Sequence, residues 1–127
     1  MSYYFNKTIQ GEFDQVIEKV TEALKTQGFG VLTEIDFSGT LKKKLDVDIP
    51  NYRILGACNP QFAYETYKKE NKIGVMLPCN VIVQKVEGGI EVSAVDPLAM
   101  MQGVGNAELE STAGEVKSKL QAVIDSL

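Results

Sequence analysis

The sequence predicts an α+β fold: a curved, mainly antiparallel five-stranded sheet, with long N- and C-terminal helices on one face and a short inserted helix. Three observations carry this. Apolar residues switch between a period of two and a period of 3.6 in the order strand, helix, four strands with a helix among them, helix. Gly88-Gly89 separates two alternating runs, which makes the fourth and fifth strands an antiparallel hairpin. The final apolar stripe closes the chain as one long helix, and strands followed by a closing helix favour an α+β layer over a doubly wound parallel sheet.

Each element has its own signal. Tyr3, Phe5 and Ile9 share one parity, with Tyr4, Asn6 and Thr8 on the other, so the chain opens as a strand. Phe13, Val16, Ile17, Val20 and Leu24 recur at helical spacing, Glu12 and Asp14 suit the positive end of the helix dipole, and Gly28 suits its C-terminal stop. Gly30 to Phe37 returns as a strand with Val31, Ile35 and Phe37 of like parity. Thr40 to Leu45 predicts a short helical turn capped by Ser38 or Asp36, and Pro50 closes the connection after it.

Tyr52 to Ala57 reads as the third strand. Asn59-Pro60 then starts a helix, with Asn as cap and Pro at the first position, where a missing N–H costs nothing. Phe62, Ala63 and Tyr67 form its expected apolar side. Ile73 to Lys85 is expected as the fourth strand and Ile90 to Val95 as the fifth. Leu109, Ala113, Val116, Leu120, Val123 and Leu127 alternate steps of four and three, one stripe for packing on the sheet, too short for a coiled coil.

The composition bounds the function. The chain has 127 residues, 44% apolar and 24% charged, which fits one folded domain over residues 1–127 and excludes disorder. A net charge of −4 offers no basic stripe to nucleic acid and no electrostatic hold on an anionic membrane. No apolar run reaches the roughly 20 residues of a membrane span. The start, Met1-Ser2-Tyr3-Tyr4-Phe5, lacks a secretory pattern, so a cytoplasmic location is expected. Zero histidines remove the common general base, the common metal ligand and the Ser-His or Cys-His pair. No cofactor is indicated.

Two segments share a pattern where chemistry could sit: Gly56-Ala57-Cys58-Asn59-Pro60 and Met76-Leu77-Pro78-Cys79-Asn80-Val81. Cys58 precedes a helix start, so it is either a thiol activated by the dipole or a small residue buried at a tight junction. Cys79 shares parity with Leu77, Val81 and Val83 and reads as core, while Pro78 implies an edge or a bulge in the fourth strand. The cysteine spacing matches no CxxC redox motif and no zinc knuckle, and two thiolates alone do not close a tetrahedral zinc site. Asp96-Pro97 follows the fifth strand, and Asp96 serves either a site or the cap of a short helical turn. Met100 and Met101 read as pocket lining or core, Lys42 to Lys44 as a solvated face, and Gly103-Val104-Gly105 lacks the third glycine of a dinucleotide loop.

Together with Gly28 to Asp36 and Asp96-Pro97, these segments resemble the bacterial and archaeal family called domain of unknown function 302. The resemblance runs from Tyr3 to the final helix. It implies a TATA-box-binding-protein-like α+β fold and homodimers, and it carries over neither an activity nor DNA binding. The expected function is a dimeric module for a small, largely apolar ligand, its pocket bordered by Cys58, Asn59, Cys79, Asn80 and Asp96. The competing expectations are a thiol-dependent enzyme or redox carrier using Cys58, and a structural or interaction subunit.

Overall fold

The computed structural model describes residues 2–127; Met1 lies outside them. Its strands are β1 (Tyr4–Ile9), β2 (Gly30–Asp36), β3 (Tyr52–Cys58), β4 (Cys79–Val86) and β5 (Gly89–Val95). They form one open sheet in the order β1-β5-β4-β3-β2, every neighbouring pair antiparallel. The helices are α1 (Phe13–Thr26), α2 (Phe37–Leu45), α3 (Pro60–Lys69), α4 (Pro97–Gln102) and α5 (Glu110–Asp125). This is the α+β arrangement expected, with α2 and α4 realising the two short turns.

The period-two pattern decides which face is covered. Leu55 and Ala57 of β3, Cys79, Val81 and Val83 of β4, and Ile90, Val92 and Ala94 of β5 all point to one side. Val16, Ile17, Val20 and Leu24 of α1 pack there, with Val116, Leu120, Val123 and Ile124 of α5. A second cluster extends this core under α4: Ile73, Met101, Leu109 and Ala113, with Met76 and Leu77 against them. The opposite sheet face carries Tyr4, Asn6, Glu91, Ser93, Ile82 and Ile54 and, among the described residues, no covering helix pair.

Local chemistry sets the boundaries. Asp36 rather than Ser38 caps α2, its carboxylate accepting the Gly39 N–H at 3.0 Å. That bond first, aided by Ser38 and Arg53, holds the Asp36 carboxyl below its ordinary range. Phe37 consequently belongs to the helix, where its ring lies 5.0 Å from that of Tyr52. Gly28 stops α1 at φ +84, a left-handed conformation that favours glycine. The β4–β5 turn is Glu87-Gly88, with Gly88 at φ +94, and Gly89 already pairs with Val86.

Four expectations are corrected. The fourth strand begins at Cys79, not Ile73: Ile73–Met76 is a 3₁₀ turn whose apolar side chains enter the second cluster. Pro78, after a cis Leu77-Pro78 bond, stands just before a central strand, where it displaces no ladder bond, so it marks neither an edge nor a bulge. The register shift instead lies in β2 between Val31 and Thr33, and it moves Ile35 off the parity of Val31 and leaves it 48% exposed. Tyr67 is likewise exposed; Thr66 takes the inward place on α3.

Candidate functional site

The strand ends and short helices meet around an apolar cavity of about 330 Å³ that opens to solvent. Ala57 and Cys58 enter it from the end of β3, and Leu77, Pro78 and Cys79 from the start of β4. Phe62, Ala63 and Thr66 form the α3 wall; Pro97, Met100 and Met101 form the α4 wall; Ala113 and Val116 of α5 form the floor. Phe29, Leu32 and Thr33 close the remaining side.

Asn59 turns the chain from β3 into α3. Its side-chain oxygen accepts the Phe62 N–H at 3.5 Å, and its amide donates to the Gln27 carbonyl at 3.3 Å. A side chain at Gly28 would come within 2.9 Å of that amide, so glycine serves both the α1 terminus and this junction. The Thr66 hydroxyl donates back to the Phe62 and Ala63 carbonyls. The polar side chains at the wall are thus partly spoken for, and the surface offered to a guest is almost wholly hydrocarbon and sulfur.

Both thiols are free. Cys79 is buried and Cys58 half-buried. Cross-strand pairing sets Cys79 opposite Ala57, the residue before Cys58, so Cys79 shares the inward face with Ala57 while Cys58, at the strand end, has the alternate parity. Burial pushes the Cys58 thiol up from its ordinary value. Burial, and secondarily the charge of Cys58, push Cys79 up to about 11.

The other expected residues lie elsewhere. Asn80, one residue beyond Cys79, points to the opposite sheet face and lines a groove there with Tyr3, Tyr4 and Tyr52. Asp96 caps α4 by accepting the Leu98 N–H at 3.0 Å and pairs with Lys117 at 2.9 Å. It lines a separate, more polar cavity with Gln102, Asn106 and Glu110. Cys58, Asn59 and Cys79 therefore share one cavity, and Asn80 and Asp96 do not border it. Phe29, Phe62, Thr66 and Lys117 were not picked out as site residues by sequence. Phe62 had a weak signal as an apolar α3 residue beside the cap, whereas nothing local marks Lys117 as the partner of Asp96.

The architecture is that of an α+β protein with an unclosed sheet and an apolar hole at its strand ends. The family model described as Domain of unknown function DUF302 matches residues 5–127, and the chain belongs to that family. It is similar to the crystal structure of an uncharacterized conserved DUF302 protein from Bacillus stearothermophilus, with a TM-score of 0.92, 25% identity and 98% of each chain covered. No curated protein matches.

Proposed function

We propose that this protein is a dimeric, cytoplasmic binding module for a small, largely apolar molecule, held in the cavity between β3, β4, α3 and α4. The observation that carries the reading is the cavity itself: about 330 Å³, open to solvent, with no charged side chain among its lining residues. That volume stands at the lower end of the ~300–1,000 Å³ usual for ligand pockets. A guest would gain hydrophobic burial and little orientation, since few polar groups point at it. Met100 and Met101 supply adaptable walls for guests of differing shape.

The raised Cys58 thiol and the lack of any basic or acidic side chain in the cavity weigh against a thiol-dependent enzyme. Pairing of two copies finds support in the uncovered sheet face and in Tyr3 at 71% exposure. Free thiols and the absence, among the described residues, of a helix long and apolar enough to cross a membrane agree with the cytoplasm. A net charge of −4 agrees with a partner other than nucleic acid.

Native mass spectrometry of protein purified from cells, with uptake of a fluorescent hydrophobic probe, tests the binding. A retained small molecule or saturable probe uptake, lost in Ala63→Phe, is expected. Ligand-free spectra across preparations together with no probe uptake would sink the reading. Light scattering reads the dimer.

A further inference from the structure

We propose that two copies of this chain pack through the helix-free face of the sheet, sheet on sheet, about a two-fold axis that runs along a row of isoleucines. This rests on the pairing put forward above and gives that pairing a surface and a geometry; the cavity takes no part in it. The carrying observation is the row itself. Ile35 of β2, Ile54 of β3 and Ile82 of β4 are direct register partners, so three branched apolar side chains stand side by side on one face.

The period of two builds the row. Leu55 points into the core, so Ile54 points away from it, and Val81 and Val83 do the same for Ile82. β2 joins through its irregularity between Val31 and Thr33, which turns Ile35 outward and leaves it 48% exposed. Ser93 and Asn6 continue the row across β5 and β1. Tyr4 and Tyr52 flank it on opposite sides.

The charge on this face points to its occupant. Lys7, Arg53 and Lys85 have the core-facing parity, so the face offers no cation to a phosphate backbone. Its charged group, Glu91, is held by two neutral amides: Asn6 donates to one oxygen at 3.1 Å and Gln84 to the other at 3.0 Å. An apolar row in a neutral surround calls for a partner of the same character, and a two-fold contact supplies one by setting the patch against itself. An axis along the row lays each isoleucine on its own copy and keeps the strands of the two sheets aligned. Glu91 lies two residues beyond Ser93, so the two carboxylates fall on opposite sides of the axis, roughly 13 Å apart at ~3.3 Å per residue. Five strands of six to eight residues give a footprint of about 500 Å². That is short of the ~800 Å² each partner buries in a standard interface, so the dimer is reversible and concentration-dependent.

The test is sedimentation equilibrium of the reduced full-length protein across a concentration series. A 13.9 kDa species passing reversibly to twice that mass is expected. Ile54→Lys and Ile82→Lys each place two unpaired ammonium groups in the contact and are expected to raise the dissociation constant at least about tenfold. Tyr67→Lys, on the exposed side of α3, leaves it unchanged. Circular dichroism shows that each variant keeps its fold. In a Cys58→Ser background, Ile82→Cys stands on the axis and is expected to cross-link to its own copy on mild oxidation, whereas Thr8→Cys, on an outer strand and off the axis, does not. The proposal is overturned if both lysine variants dimerise as tightly as wild type, or if Thr8→Cys cross-links and Ile82→Cys does not; either result leaves the pairing standing on another surface. Wild-type protein that stays monomeric, bare or with a different protein seated on this face, overturns the proposal and the pairing together and leaves the cavity reading to its own probe test.

Discussion

Asp96 holds α4, and with it the wall that Met100 and Met101 present to the cavity, so its removal makes a quantitative test. Its carboxylate does two things: one oxygen accepts the Leu98 N–H at 3.0 Å, the other meets the Lys117 ammonium at 2.9 Å. An N-cap is worth ~1 kcal/mol, within a range of about 0.5–2. The ion pair is intermediate, with side-chain exposures of 12% for Asp96 and 39% for Lys117. It should sit at the upper end of the ~0–1 kcal/mol of a surface pair and well below the ~3–5 kcal/mol lost when a fully buried pair is broken, because Lys117 can swing into water. Asp96→Asn keeps a capping oxygen and loses the charge, so about 1 kcal/mol is expected; Asp96→Ala loses both, so about 2 kcal/mol. With a urea m-value on the order of 2 kcal/mol/M, the alanine variant should shift the midpoint by about 1 M with m unchanged. A cycle with Lys117→Met should return a coupling near ~1 kcal/mol. Equal losses for Asn and Ala would refute the cap, and zero coupling would refute the ion pair.

Further predictions concern the same region. Burial pushes the Cys79 thiol up to about 11 in the folded protein, above its ordinary value of about 8.5 in the unfolded chain, so above that ordinary value the unfolded chain binds fewer protons and stability falls as pH rises. The loss, on the order of 2–3 kcal/mol between pH 8.5 and 11, should appear in urea titrations as a difference from Cys79→Ala, and parallel pH profiles would contradict it. Alkylation at neutral pH should label Cys58 more slowly than a free thiol and Cys79 more slowly still, read by mass spectrometry; fast labelling of Cys79 would deny its burial. Gly56→Ala would drive a methyl into Thr33 and to within 2.8 Å of Pro78 Cγ, an overpacking of about 1–3 kcal/mol, and Thr33→Ala should recover only part of it because Pro78 is rigid. Gly28→Ala should lower the melting temperature through a left-handed penalty of about 1–2 kcal/mol; an unchanged melt would show that Gln27-Gly28 relaxes.

Much of the fold was legible because local rules and tertiary demands agree. The α1 and α5 stripes, the Gly88 turn and the Asn59-Pro60 helix start all appear where their chemistry places them. Ile73 to Met76 was misread because a short apolar run carries no period: whether it becomes strand or helical turn was settled by the second core cluster, which draws Ile73 beside Met101 and Leu109. The β2 irregularity left no mark, since Val31 and Ile35 keep alternating in sequence while the backbone slips between them. For the site, parity alone separates Cys79 from Asn80, and the pairing of β3 with β4 brings the two cysteine-bearing strand ends to one cavity. The α4 wall and the Asp96–Lys117 contact depend on how α5 lies across the sheet, a long-range outcome that residue spacing does not encode.

The strand order has a consequence for assembly. β2, β3 and β4 each join the strand that follows directly in the chain, whereas β1 can settle only against β5, whose register partners for Tyr4 to Ile9 lie at Val95 to Ile90. On a ribosome, the earliest strand made is therefore the last able to dock. Until then Phe5 and Ile9 remain uncovered hydrocarbon on a tethered tail, and β5 keeps a bare margin of N–H and C=O groups that another nascent chain could occupy first.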